Sequence, residues 1–161
     1  MKKNAGFTML ELMIVIAIMA IGAAIAIPNM IQWRTEANLR GSANNLRADL
    51  NMAKMLAVRE NALVVVQFFG NRYQIFVDNG SSSGDWDWQQ ADERRFRNRD
   101  MRPGVSIDLA STTFAGGCTA GKCTRFNERG LPDQLGTVVL VSSDGRQNQI
   151  GINRMGRVDL Q

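Results

Sequence analysis

The chain has 161 residues, carries 19 Lys and Arg against 15 Asp and Glu, and contains no histidine. That length allows one domain beyond a membrane segment. The missing histidine removes His-based triads, His general bases and most zinc and haem sites, and a formal charge of +4 does not by itself imply a nucleic-acid binder.

The first 28 residues, MKKNAGFTMLELMIVIAIMAIGAAIAIP, organise the rest. From Phe7 to Ile27 every residue is apolar or small except Thr8 and Glu11. At 1.5 Å per residue the run spans about 31 Å as a helix, close to the roughly 30 Å hydrocarbon core of a bilayer. With Lys2 and Lys3 ahead of it, the pattern predicts a membrane helix whose positive end stays inside. A removable secretory signal ending at Ala24-Ile25-Ala26 shares these features, but Glu11 and the length of the run argue against it. A carboxylate in a membrane helix costs on the order of 2.5–3.5 kcal/mol and marks a functional residue. A shallow seat at headgroup level would lower that cost, although Leu10, Leu12 and Met13 surround Glu11 with apolar neighbours. Pro28 ends the run; it cannot donate to the Ala24 carbonyl and crowds it, so a helix break or kink is expected there.

Lys2-Lys3-Asn4-Ala5-Gly6 followed by Phe7-Thr8-Met9-Leu10-Glu11-Leu12 resembles the leader and mature start of type IV prepilins and pseudopilins. The resemblance implies that a prepilin peptidase cuts after Gly6 and methylates the new amino terminus at Phe7. It implies that Glu11 pairs with the terminal amine of a neighbouring subunit during assembly, and that Pro28 matches the proline where the helix softens in a filament. Opposite charges stranded in lipid offset each other's desolvation, and only one axial stagger brings them together. Cleavage would remove Lys2 and Lys3, leaving 17 basic side chains against 15 acidic.

Residues 29–61 read as a continuing amphipathic helix. Leu39, Ala43, Leu46, Leu50, Ala53 and Ala57 step by three and four onto one stripe that would pack on a sheet. Arg40, Arg47 and Lys54 recur every seven residues along a flanking line, read as a solvated basic edge, with contact to acidic groups of a neighbouring subunit as the other reading. Met52 and Met55 lie off the stripe, as surface residues or as contacts to other helices.

The remainder is strand-like. LVVVQFF and RYQIFV flank Gly70-Asn71 as a hairpin. The polar loop at 78–92 carries Trp86 and Trp88, which either meet a partner or fold back on the sheet. Arg94, Arg95, Arg97, Arg99 and Arg102 suggest an exposed edge strand kept from sheet-to-sheet pairing by charge, with anion or nucleic-acid contact as the other reading. Residues 105–109 alternate as a strand. Cys118 and Cys123 follow; in a chain exported past a membrane anchor a disulfide is the natural reading. Further strands are expected at 124–127, 137–141, 149–152 and 157–160. Ser142-Ser143-Asp144 offers a hydroxyl and a carboxylate, and Lys122 or Lys54 a base, but turn chemistry explains that sequence and no enzyme is inferred.

The run Arg47-Ala48-Asp49-Leu50-Asn51-Met52-Ala53-Lys54, then Tyr73-Gln74-Ile75-Phe76-Val77-Asp78 and the terminal Gly156-Arg157, resemble the GspH/FimT group of minor pilins and pseudopilins. The resemblance implies an α+β fold, a long N-terminal helix packed on a small antiparallel β-sheet head. It divides the chain into a leader (1–6), an assembly helix (7–28), an amphipathic helix (29–61) and a head (62–161). The function it implies is a minor pseudopilin of a type II secretion system, with a minor pilin of a type IV pilus as the alternative. The expected partners are a prepilin peptidase, other filament subunits and the inner membrane, with the head in the periplasm and no cofactor. Some pilus-associated members bind DNA through Gly-Arg-x-Arg. Here Asp159 replaces the second arginine, so DNA is a weaker reading, with Arg146, Arg154 and Arg157 as its candidates.

Overall fold

The computed structural model of the chain describes residues 7–79, 86–88 and 94–160. The chain divides into two units, Met1–Arg34 and Thr35–Gln161, and one helix, α1 (Met9–Glu60), contributes to both. Thr8 caps its start: the Glu11 amide donates to Thr8 Oγ1 at 3.3 Å and the Leu12 amide to the Thr8 carbonyl at 3.2 Å. Thr8 and Glu11 thus stand at the spacing of a capping box, with the carboxylate in the positive first turn. The expected break at Pro28 is corrected, because α1 carries that proline inside it. Proline removes one donor, whereas Ala23, Ala24, Ala26 and Met30 around it favour helix.

The helix stops at Asn61, which takes the left-handed conformation (φ 49°). The Ala62 amide then reaches back to the Ala57 carbonyl at 3.2 Å, a Schellman closure that turns the chain into the head.

The head holds two four-stranded antiparallel sheets rather than one. In the first, β1 (Leu63–Phe68) lies between β2 (Arg72–Asp78) and β5 (Lys122–Phe126), and β3 (Arg94–Asp100) forms the edge beside β2. In the second, the order is β4 (Val105–Asp108), β6 (Gly136–Ser142), β7 (Gln147–Ile152), β8 (Val158–Leu160). β1 is paired on both sides, Val64 lying opposite Val77 of β2 and opposite Phe126 of β5, while β4, β6, β7 and β8 pair among themselves.

One core joins the helix to both sheets. The stripe from Leu39 to Ala57 is buried as expected, and it meets Val64, Val66, Ile75, Ile107, Leu140 and Ile150. β1 is apolar on both faces because its outer face is covered too: Val65, Phe76 and Cys123 lie under Trp86, Trp88 and Cys118. The two tryptophans therefore fold back on the sheet. Trp86 does so at φ 69°, with the Arg125 guanidinium 4.2 Å from its ring, while Arg95 lies 3.5 Å from the ring of Trp88. Asp87 between them accepts from the Thr119 amide at 2.9 Å, tying this segment to the loop closed by the Cys118–Cys123 disulfide. Closing so short a loop is worth about 2 kcal/mol by chain entropy.

Candidate functional site

The first unit offers an exposed helix. Every described residue from Phe7 to Arg34 is exposed, and α1 is long and apolar enough there to cross a membrane. Between Glu11 and Arg34 there is no charged side chain. Phe7 and Glu11 lie at the start of this helix; Gly6 lies outside the described residues. Trp33, 71% exposed, comes directly before Arg34. An amphipathic indole at the end of an apolar run suits the boundary between acyl chains and water.

In the second unit the basic line along α1 is not simply solvated. Arg40 pairs with Glu36. Arg47 Nε donates to the Val158 carbonyl at 3.3 Å, and Lys54 Nζ donates to the Gly156 carbonyl at 3.2 Å. These two side chains fasten the C-terminal turn to the helix. Gly156 permits this at φ 68°, since a Cβ there would come 3.2 Å from Lys54 Nζ and 2.7 Å from the Gly130 carbonyl oxygen. A second close approach explains Gly41: the Arg102 guanidinium occupies the place of its missing Cβ, 2.7 Å away.

The three arginines considered for nucleic acid are not equivalent. Arg146 Nη1 binds Glu36 Oε2 at 2.9 Å and its Nε binds Asp144 Oδ2 at 3.2 Å. Arg157 Nε binds Asp159 Oδ1 at 2.9 Å, so Asp159 neutralises the arginine beside it. Arg154 is exposed and pairs with no carboxylate among the described residues. The geometry does not gather them into one free cationic patch.

The arginine-rich stretch is β3, an edge strand as its charge suggested, and its side chains are engaged. Arg94 binds Glu60 at 2.9 Å, where Arg59 binds as well. Hydrogen bonds from Arg59 and then Arg94 hold the Glu60 carboxyl below the usual carboxylate range. Arg97 and Arg99 reach Asp49 at 3.6 and 3.2 Å, and the Tyr73 hydroxyl donates to Asp49 at 2.5 Å. No motif in the sequence marks Asp49 as a charge centre. Its signal was positional: it sits three residues after Leu46 and four before Ala53, on the buried stripe. A buried carboxylate there requires cations from the facing strand.

Residues 1–27 match the prokaryotic N-terminal methylation motif, and residues 42–156 match the family described as type II transport protein GspH. The chain belongs to the GspH family. This GspH-family chain is 27% identical over 172 aligned positions to the pilin-like protein PilA1 of Thermus thermophilus, covering 97% of each. A shorter match, 50% identical over 46 residues, is to the type IV major pilin protein PilA of Myxococcus xanthus; it takes in 29% of this chain and 21% of that pilin. Among solved structures the fold is similar to the minor pilin FimU of Pseudomonas aeruginosa, with a TM-score of 0.57 and 19% identity over 78% of this chain and 90% of that one. It is also similar to the minor pseudopilin EpsH of Vibrio cholerae, with a TM-score of 0.57 and 15% identity over 77% and 96%. The GspH-family chain thus shares the fold of these two proteins.

Proposed function

We propose that the protein is a minor pseudopilin, a structural and assembly subunit of a type II secretion pseudopilus, and not an enzyme. The observation that carries this reading is the exposed apolar helix from Phe7 to Arg34 with a single carboxylate, Glu11, in its first turn, attached to a GspH-type head. In this reading a prepilin peptidase cuts after Gly6 and methylates Phe7. The helix then waits in the inner membrane with the head in the periplasm. On entry to the filament it exchanges lipid contact for packing against neighbouring helices, and Glu11 meets the terminal amine of the next subunit.

A second reading, a minor pilin of a type IV pilus, is supported by the 50% identity of the short match to a type IV major pilin. DNA binding belongs to this second reading. The internal pairs of Arg146 and Arg157 weigh against it.

The deciding experiment compares a strain lacking the gene with its complemented parent, scoring sheared surface filaments and exported proteins together. Lost export with unchanged filaments supports the pseudopilin. Lost filaments restored by complementation support the type IV pilus and make DNA titration of the three arginines worthwhile. No change in either removes both readings.

A further inference from the structure

The head carries an open cleft at the border of its core. Met52, Met55 and Arg59 fall on one face of α1 at i, i+3 and i+7. Together with Leu56 and with Phe96 of β3 they line a space of about 290 Å³, far more than the roughly 30 Å³ of a water molecule. Met55 is 72% exposed and Met52 39%. Exposed methionines on a concave surface adapt to an apolar side chain at low cost.

The rim is basic at both ends. At one end Arg59 and Arg94 share the single carboxylate of Glu60. At the other Arg97 and Arg99 share that of Asp49, and the Arg97 guanidinium touches the Met52 sulfur at 3.8 Å. Among the described residues each end therefore keeps one positive charge beyond what its carboxylate neutralises, on guanidinium groups suited to forked hydrogen bonds. β3 is also an edge strand, paired only with β2 among the described strands.

We propose that the cleft between α1 and β3 is a docking site for an acidic peptide segment of another protein, which seats one Phe- or Leu-like side chain on the methionines and sets carboxylates against the arginines at either end. Charge complementarity selects this occupant. The inference does not depend on which secretion or pilus machine the chain serves. An anionic bilayer would answer the same charge, but it would not need a concavity large enough for one side chain.

The test uses the full chain in nanodiscs of uncharged lipid, with its methionine methyl groups labelled for NMR. The probe is the synthetic peptide Asp-Glu-Phe-Glu-Asp. The methyl signals of Met52 and Met55 should shift and that of Met155 should not. Replacing the central Phe of the peptide with Ala, or making Arg59→Glu in the protein, should each weaken binding about tenfold. Both Arg59 and Met55 are exposed, so Arg59→Glu and a second variant, Met55→Ser, leave the fold intact. Equal binding of Lys-Lys-Phe-Lys-Lys, or no shift with the acidic peptide, overturns the proposal. Shifts produced by phosphatidylglycerol vesicles and not by the peptide overturn it in favour of a lipid surface.

Discussion

At the scale of single residues, Asp49 has the largest consequences in the head. It is a carboxylate in the core held by two arginines and a tyrosine hydroxyl. Asp49→Ala should destabilise the protein by about 2 kcal/mol, less than the loss at a fully buried pair because Arg97 and Arg99 keep some contact with water. Urea unfolding of the chain in detergent would measure it. Tyr73→Phe should cost about 2 kcal/mol, the worth of one hydrogen bond to a charged group. It also changes the alkaline limit. Burial, and then the hydrogen bond to Asp49, push the Tyr73 hydroxyl above its usual range. The folded state therefore holds this proton more tightly than the unfolded chain does. That contribution is complete below about pH 10 and declines as pH rises beyond it. In Tyr73→Phe the decline above pH 10 should be shallower; an identical slope would mean that another group sets it.

At the scale of elements, Asn61 ends the helix in a conformation that a β-branched side chain resists. Asn61→Val should lose about 1–2 kcal/mol while Asn61→Gly stays near neutral, and thermal unfolding would separate the two. Much at this scale was legible in the sequence. The period of Leu39, Leu46, Leu50 and Ala57 marked the buried stripe, and alternation with turn residues marked the strands to within a few positions. What was hidden is non-local. Nothing in the local pattern says that β1 pairs with β5, or that β4 pairs with β6, so the split into two sheets could not be read from it. The run LVVVQF hinted at cover on both faces, yet its cover, Trp86 and Trp88, comes from a loop whose composition allowed two readings. Pro28 was read from its local penalty and from the resemblance to a pilin proline, and α1 carries it inside. The methylation motif was plain because it is concentrated in a dozen consecutive residues, whereas Thr8 gave no reading as the helix cap.

At the scale of the whole molecule, an exposed apolar helix and a well-packed head serve different ends, and Glu11 should separate them. Glu11→Ala should insert into membranes at parental levels, measured by fractionation, and fail to enter sheared filaments; assembly at parental levels would remove the pairing role. The stripe of α1 has a further consequence, a mechanical one. Its buried residues run from Leu39 to Ala57, about 27 Å along the axis. Arg47 and Lys54 add ties to the C-terminal turn beside it. Tension along this helix would load those contacts in parallel, as shear, so they would have to yield together and not peel apart one by one. A head fastened in this way could be hauled by its own helix without being unravelled.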